Sequence, residues 1–183
     1  MDDKVNDNRS WIVNEDITLK EIDLDDVELI FNSIVRDRDY LEEWLPFVSQ
    51  TQEISNTLQF VTDYLNSDRL NLTCTIWYQH QFAGIVGLKD TDLENKKTEI
   101  GYWLSSSFQH KGIITLSCKA LIKYIFEELK LNRIQLKAAT CNIKSQRVAQ
   151  RLGFIQEGIE REGELHNRGF VDLVVFSLLV TDR

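Results

Sequence analysis

A long amphipathic segment, residues 113–130, stands between two short strand-like runs, 98–104 and 134–140, and this limits the architectures open to the chain. Its apolar positions Ile114, Cys118, Leu121, Ile122, Ile125 and Leu129 recur at helical spacing and form one stripe. In the second flanking run Ile134, Leu136 and Ala138 alternate, as in a strand. A helix that joins two strands of one sheet makes a parallel crossover. Upstream the pattern is different. Residues 72–78, 82–88 and 98–104 are strand-like runs joined by polar turns at 79–81 and 90–96, which is an antiparallel meander. The chain is therefore expected to build a mixed sheet, mostly antiparallel, with one parallel pair.

The remaining segments extend this sheet at both ends. Trp11-Ile12-Val13 and Ile17-Thr18-Leu19 suggest an early hairpin around Asn14-Glu15-Asp16. Asp23 can cap a helix that carries Val27, Ile30, Phe31 and Ile34. Residues 40–47 are dense in aromatics and end at Pro46 and Phe47. Residues 53–66 read as a second helix, with Ile54, Leu58, Val61 and Leu65 on one stripe. After residue 140, a short helix over 145–152 is stopped by Gly153. Strands follow at 154–158 and 170–180, with a polar excursion at 159–169 between them. The fold class is α/β (α+β), as one domain over residues 10–183 with a disordered tail at 1–9. A chain of 183 residues is within the size of one domain.

Composition narrows the function. The net charge is −8, and residues 1–45 alone carry 14 acids and 5 bases. Phosphate-backbone contacts need a basic face, so direct nucleic-acid binding is disfavoured. The acidic first quarter admits a cationic partner, or it serves only as a solvated surface. No apolar run reaches the ~18 residues of a membrane span, and Met1-Asp2-Asp3-Lys4 does not open a secretory signal. Cys74, Cys118 and Cys141 form no C-x-x-C pair and read as reduced, buried thiols of a cytoplasmic protein. His80, His110 and His166 stand apart from one another and from any cysteine, so no metal site is expected.

Phe108-Gln109-His110-Lys111-Gly112-Ile113 links a strand to the long helix. A loop there aims backbone N–H groups and the positive end of the helix dipole at one place, an anion site suited to a pyrophosphate. Gly112 lets a phosphate approach the backbone, and Lys111 adds a cation at the mouth. Taken alone, the same residues also describe an ordinary helix start.

Two further segments give the loop its context. Asn142, Ser145, Arg147, Val148, Ala149, Arg151, Leu152, Gly153 and Phe154 resemble the C-N-x-x-S-x-[RK]-[VL]-[AM]-x-[KR]-[LN]-G-F segment of GNAT-type N-acetyltransferases. The match is especially to the RimJ/RimL branch, which acetylates ribosomal-protein N-termini. Tyr40-Leu41-Glu42-Glu43-Trp44-Leu45-Pro46 is similar to the Trp-Leu-Pro segment of that branch. The loop resembles the superfamily's Gln/Arg-x-x-Gly-x-Gly/Ala motif at Gln109 and Gly112, with Ile114 where Gly or Ala is usual. The order of elements agrees from about residue 17 to 180.

The resemblance implies a GNAT fold whose splayed strands hold acetyl-CoA. It implies direct transfer of the acetyl group to an amine, without metal or redox cofactor. Tyr102, Trp103 and Leu104 would meet the pantetheine arm and the oxyanion. Gln109, His110, Lys111, Gly112, Ile113, Ile114 and Thr115 would meet the phosphates, and Asn142 the arm. Ser145 would donate a hydrogen bond to the departing sulfur, or would only cap its helix. Glu164 would be the general base, or one solvated glutamate among several, with His166 as a rival base and Tyr102 as a rival acid. Cys141 is not read as a nucleophile, because direct transfer needs none. The implied acceptor is a protein N-terminal α-amine, plausibly ribosomal. A small amine such as a polyamine, amino acid or aminoglycoside, or a silent CoA-binding module, are the other readings. A homo-oligomer is implied by resemblance only.

Overall fold

The computed structural model describes residues 9–183. Among them, eight strands form one sheet in the order β1-β2-β3-β4-β5-β6-β8-β7. These are β1 (Ser10–Ile12), β2 (Ile17–Glu21), β3 (Thr73–Tyr78), β4 (Gln81–Asp92), β5 (Lys97–Leu104), β6 (Arg133–Ala139), β7 (Ile155–His166) and β8 (Gly169–Leu179). Every neighbouring pair is antiparallel except β5 with β6, the pair joined by the long helix. The mixed sheet expected from the change in hydrophobic period is thus present.

Both faces are covered. On one, α5 (Ile113–Glu127) buries Ile113, Cys118, Leu121, Ile122, Ile125 and Phe126 against Val86, Ile134, Leu136, Val174 and Phe176. On the other lie α1 (Val27–Arg36), α2 (Arg38–Glu42), α3 (Phe47–Gln50) and α4 (Ile54–Asn66). Their Ile30, Ile34, Leu41, Val48 and Val61 pack on Phe82, Ile85 and Trp103. Ile85 and Val86 go to opposite cores because successive strand residues face opposite sides. The last helix, α6 (Ile143–Arg151), follows β6.

The structure corrects several expectations. Two helices were expected before the meander, and there are four. The aromatic stretch at 40–47 contributes to α2 and α3, and Pro46 precedes α3 with φ −56°, already helical. The excursion at 159–169 is instead a continuation of β7 and β8 into a hairpin closed by Asn167 and Arg168. Edge strand β7 has water on much of its surface, so it carries no apolar alternation to read. A bulge between Glu160 and Glu164, with Glu162 at φ +50° and its N–H on Asp172 Oδ1, shifts the period further. The expected tail at 1–9 lies outside the described residues except for Arg9, which is anchored.

Arg9 lies over a buried charge cluster. Its guanidinium donates to Glu21 Oε2 at 2.8 Å and to Tyr124 Oη at 2.7 Å, and Tyr64 Oη donates to Glu21 Oε1 at 2.6 Å. The Glu21 side chain is 1% exposed. Burial alone would raise its pKa, but the bonds from Arg9 and Tyr64 outweigh burial and hold the carboxyl below its ordinary value. A carboxyl lowered in the folded state adds stability that is present above the unfolded pKa, ~4.3, and is lost as pH falls through the folded value. Glu21→Gln is therefore expected to be less stable than the parent at pH 7. The gap should close as pH falls below ~4, as read from urea midpoints at a series of pH values.

Candidate active site

Hydrogen bonding between β5 and β6 is short. It covers Lys97 to Glu99 opposite Arg133 to Gln135 and then stops. Beyond it the strands part, and the gap opens a cleft of about 860 Å³ bordered by Tyr102, Leu104, Leu136 and Ala138. Peptide groups alternate sides along a strand. The Lys96 carbonyl accepts from Asn132 and Arg133 toward β6, while Ser105 N–H donates to Ala83 on β4. The even-numbered residues of β5 therefore turn their peptide groups into the gap. The N–H groups of Tyr102 and Leu104 face the cleft, and the Leu104 carbonyl accepts from Gln109 Nε2 at 3.4 Å. The Trp103 peptide belongs to the β4 ladder instead. Its indole packs edge-on to Phe82 with centroids 5.9 Å apart and forms a wall.

At one end of the cleft, the loop before α5 is pinned and curved. Ser106 Oγ donates to Asp37 Oδ1, and Arg36 Nη2 donates to Ser105 Oγ at 2.8 Å, which ties the start of the loop to the end of α1. His110 at φ +64° and Gly112 at φ +72° are both left-handed and curl the backbone into a concavity. Gly112 is the N-cap of α5 and makes no side-chain cap, and a Cβ there would meet nothing within 4 Å. The N–H groups of Ile113, Ile114 and Thr115 have no acceptor within the helix, and they meet the dipole's positive end. Gln109 and Ile114 line the cleft, while His110, Lys111, Gly112, Ile113 and Thr115 do not. The Lys111 ammonium was expected to add a cation at the mouth. It lies 4.8 Å from the Tyr78 ring centroid and 5.6 Å from that of Phe108.

In the middle, α6 starts earlier than its serine suggests. Asn142 is the N-cap, and its Oδ1 accepts from Ser145 N–H at 3.1 Å. The cap alternative for Ser145 is therefore excluded: Asn142 holds that role, and Ser145 is at the third helical position. The Ser145 Oγ is 2.8 Å from Tyr102 Oη. Burial pushes the Tyr102 phenol well above its usual pKa, although the bond to Ser145 acts the other way, so the phenol keeps its proton near neutral pH. Cys141, expected buried, is exposed in the turn before α6, whereas Cys74 and Cys118 are buried.

At the other end, Glu164 lines the same cleft from the β7–β8 hairpin. Its Oε2 is 2.7 Å from His166 Nε2. Asn167, at the tip of the hairpin, donates to Glu42 at the end of α2, and Lys144 lies 5.6 Å from the Tyr40 ring centroid. Tyr40, Trp44, Phe47 and Phe60, with Asn56 and Gln59, line this opening. Sequence reasoning noted the aromatic stretch at 40–47 but did not assign it to the site. Its density of rings beside the lone proline was the available signal.

The cleft thus joins the α5 N-terminus to a carboxylate through a polar waist with two hydroxyls. The unpaired peptide edge of β5 fits the amides of a pantetheine arm. Among the described residues, no group of three or more His, Cys, Asp or Glu could hold a metal ion. The helix terminus, the peptide edge and the carboxylate are the parts that a CoA-dependent acyl transfer would use. A family model for the acetyltransferase (GNAT) domain matches residues 16–155, so the chain belongs to the GNAT acetyltransferases. It is 37% identical over 171 residues to YdaF of Bacillus subtilis (strain 168), whose name assigns it to the ribosomal N-acetyltransferases, covering 91% of this chain and 93% of that one. It is 27% identical over 171 residues to the ribosomal-protein-serine acetyltransferase of Escherichia coli (strain K12), covering 92% and 95%. Among solved structures, the microcin C7 self-immunity acetyltransferase MccE, in complex with acetyl-CoA and AMP, superposes with a TM-score of 0.87 at 29% identity over 92% of this chain and 94% of that one. The protein is an N-acetyltransferase that uses acetyl-CoA.

Proposed function

We propose that this enzyme acetylates the N-terminal α-amine of a protein, and that the protein is ribosomal. The observation that carries the reading is the single cleft that joins the α5 N-terminus to the Glu164 carboxylate by way of Ser145. The names of the B. subtilis and E. coli relatives supply the acceptor class. An α-amine has a pKa of about 7.7–8.0, so a tenth or more is neutral at pH 7, and a modest base suffices. A lysine amine, near ~10.4, would ask far more of a carboxylate.

In this reading the domain spans residues 10–183, and the CoA phosphates meet the backbone from His110 to Thr115. Asn142 fixes the start of α6 beside the arm. The acceptor enters past Tyr40, Trp44 and Phe60. Glu164 removes the amine proton, and the nitrogen attacks the thioester carbonyl. The developing oxyanion meets the N–H groups of Tyr102 and Leu104. As the C–S bond breaks, the Ser145 hydroxyl, which accepts from the Tyr102 phenol, donates a hydrogen bond to the developing CoA thiolate, and the proton taken from the amine by Glu164 passes through solvent to the sulfur and frees the carboxylate for the next turnover. A ribosomal acceptor goes with a cytoplasmic location. No helix among the described residues is long and apolar enough to cross a membrane.

The test is acetylation by the purified enzyme of a panel of N-terminal ribosomal-protein peptides, N-terminally blocked lysine peptides and small amines. Transfer to free N-termini is expected. Transfer only to polyamines, amino acids or aminoglycosides would overturn the acceptor, and binding without transfer would mark a silent module. Gly112→Glu is the donor control. It puts bulk and negative charge at a left-handed position facing the phosphates. The rise in Tm that acetyl-CoA gives the parent should vanish in this variant.

A further inference from the structure

We infer that His166 is a positioning residue for Glu164, an inference that rests on the reading of Glu164 as the base. Residues 164 to 166 end β7 just before the two-residue turn at Asn167 and Arg168. A side chain so near a hairpin tip is usually open to water. Leu165 follows that rule at 59% exposed, but the His166 side chain is only 7% exposed. Two features account for the difference. Strand alternation turns Glu164 and His166 to one face and Leu165 to the other. The bond from Asn167 to Glu42 draws the tip of the hairpin toward α2. Opposite His166 in β8 is Gly169, which presents no side chain.

The imidazole is thus fixed, while the carboxylate it touches is 39% exposed at the cleft. The Nε2···Oε2 distance is 2.7 Å. An ionised carboxylate has no proton to give, so the imidazole must carry the hydrogen on Nε2 and donate it. That bond occupies Oε2 and leaves Oε1 for the amine. It also removes rotamer freedom from a half-exposed glutamate, which would otherwise sample many orientations. When Oε1 accepts the amine proton, the bond at Oε2 remains, so the geometry does not need to be rebuilt at each turnover.

The test is a double-mutant cycle on kcat, with KM for both substrates and Tm recorded for each variant. His166→Phe keeps the bulk and loses the donor. It is expected to lower kcat about 10- to 100-fold, the cost of a misplaced catalytic group, with KM for acetyl-CoA unchanged. His166→Gln restores an N–H donor and is expected to recover most of the loss. In a Glu164→Gln background, His166→Phe is expected to cost nothing further, because its effect runs through the carboxylate. An equal loss in both backgrounds, or parental kcat in His166→Phe while Glu164→Gln is slow, would overturn this inference and leave the base in place. Parental kcat in Glu164→Gln would overturn the base assignment and this inference with it.

Discussion

Ser145→Ala is expected to slow turnover by about 10²–10³ while acetyl-CoA affinity and Tm stay close to the parent, since one transition-state hydrogen bond is worth up to that much. The stability half of this expectation follows from the geometry of α6. The bond that caps the helix runs from the Ser145 backbone N–H to Asn142 Oδ1, and alanine keeps that N–H. The hydroxyl has a different partner, Tyr102 Oη at 2.8 Å. Asn142→Ala should lose stability where Ser145→Ala does not, by about 1 kcal/mol from the lost cap. Tyr102→Phe separates the two hydroxyls. If Ser145→Ala turns over like the parent and Tyr102→Phe does not, the hydrogen bond to the leaving sulfur comes from the phenol. Single-turnover kinetics with saturating acetyl-CoA read the chemical step directly.

The sheet was legible because two hydrophobic periods meet near residue 70 and the amphipathic segment 113–130 sits between two strands. What escaped was local. The sequence around 142–145 offers two residues that favour helix caps, asparagine and serine. Serine opens the segment read as a helix, but β6 ends at Ala139 and the turn is short, so the helix starts at Ile143 and asparagine takes the cap. The ring that Tyr78, more than thirty positions earlier, presents to Lys111 was not legible, because sequence does not show which side chains a loop meets. The exposure of Cys141 and the bond between Glu164 and His166 are likewise tertiary facts. The first depends on where a strand ends, and the second on a hairpin that the polar run at 159–169 disguised. The residues proposed to bind CoA and to serve the leaving sulfur could be singled out because they belong to short motifs. Their supports, Asp37, Glu42 and Asn167, act across the fold and leave no local pattern.

Glu164→Gln is expected to lose about 10²–10⁴ in rate at neutral pH, because the amide keeps the shape and cannot accept the amine proton. The loss should shrink as pH rises, since deprotonated amine then arrives from solution and the base is no longer needed. The position of that recovery identifies the acceptor. For an α-amine it should centre near ~8, and for a lysine-like amine it should still be climbing beyond ~10. The parent should show a flatter profile over the same range. The cleft gives a reason to expect so large an effect from one atom. Glu164 faces the aromatic opening near Tyr40 and Phe60, and His166 holds its Oε2, so a water replacing it would have no fixed partner at the same place. A pH–rate profile of the variant that matches the parent in height and shape would remove Glu164 from the mechanism. Glu162 would not then be an easy substitute, because it sits in the bulge with its backbone N–H on Asp172 and does not line the cleft. His166, 2.7 Å from the carboxylate, would become the group to test next.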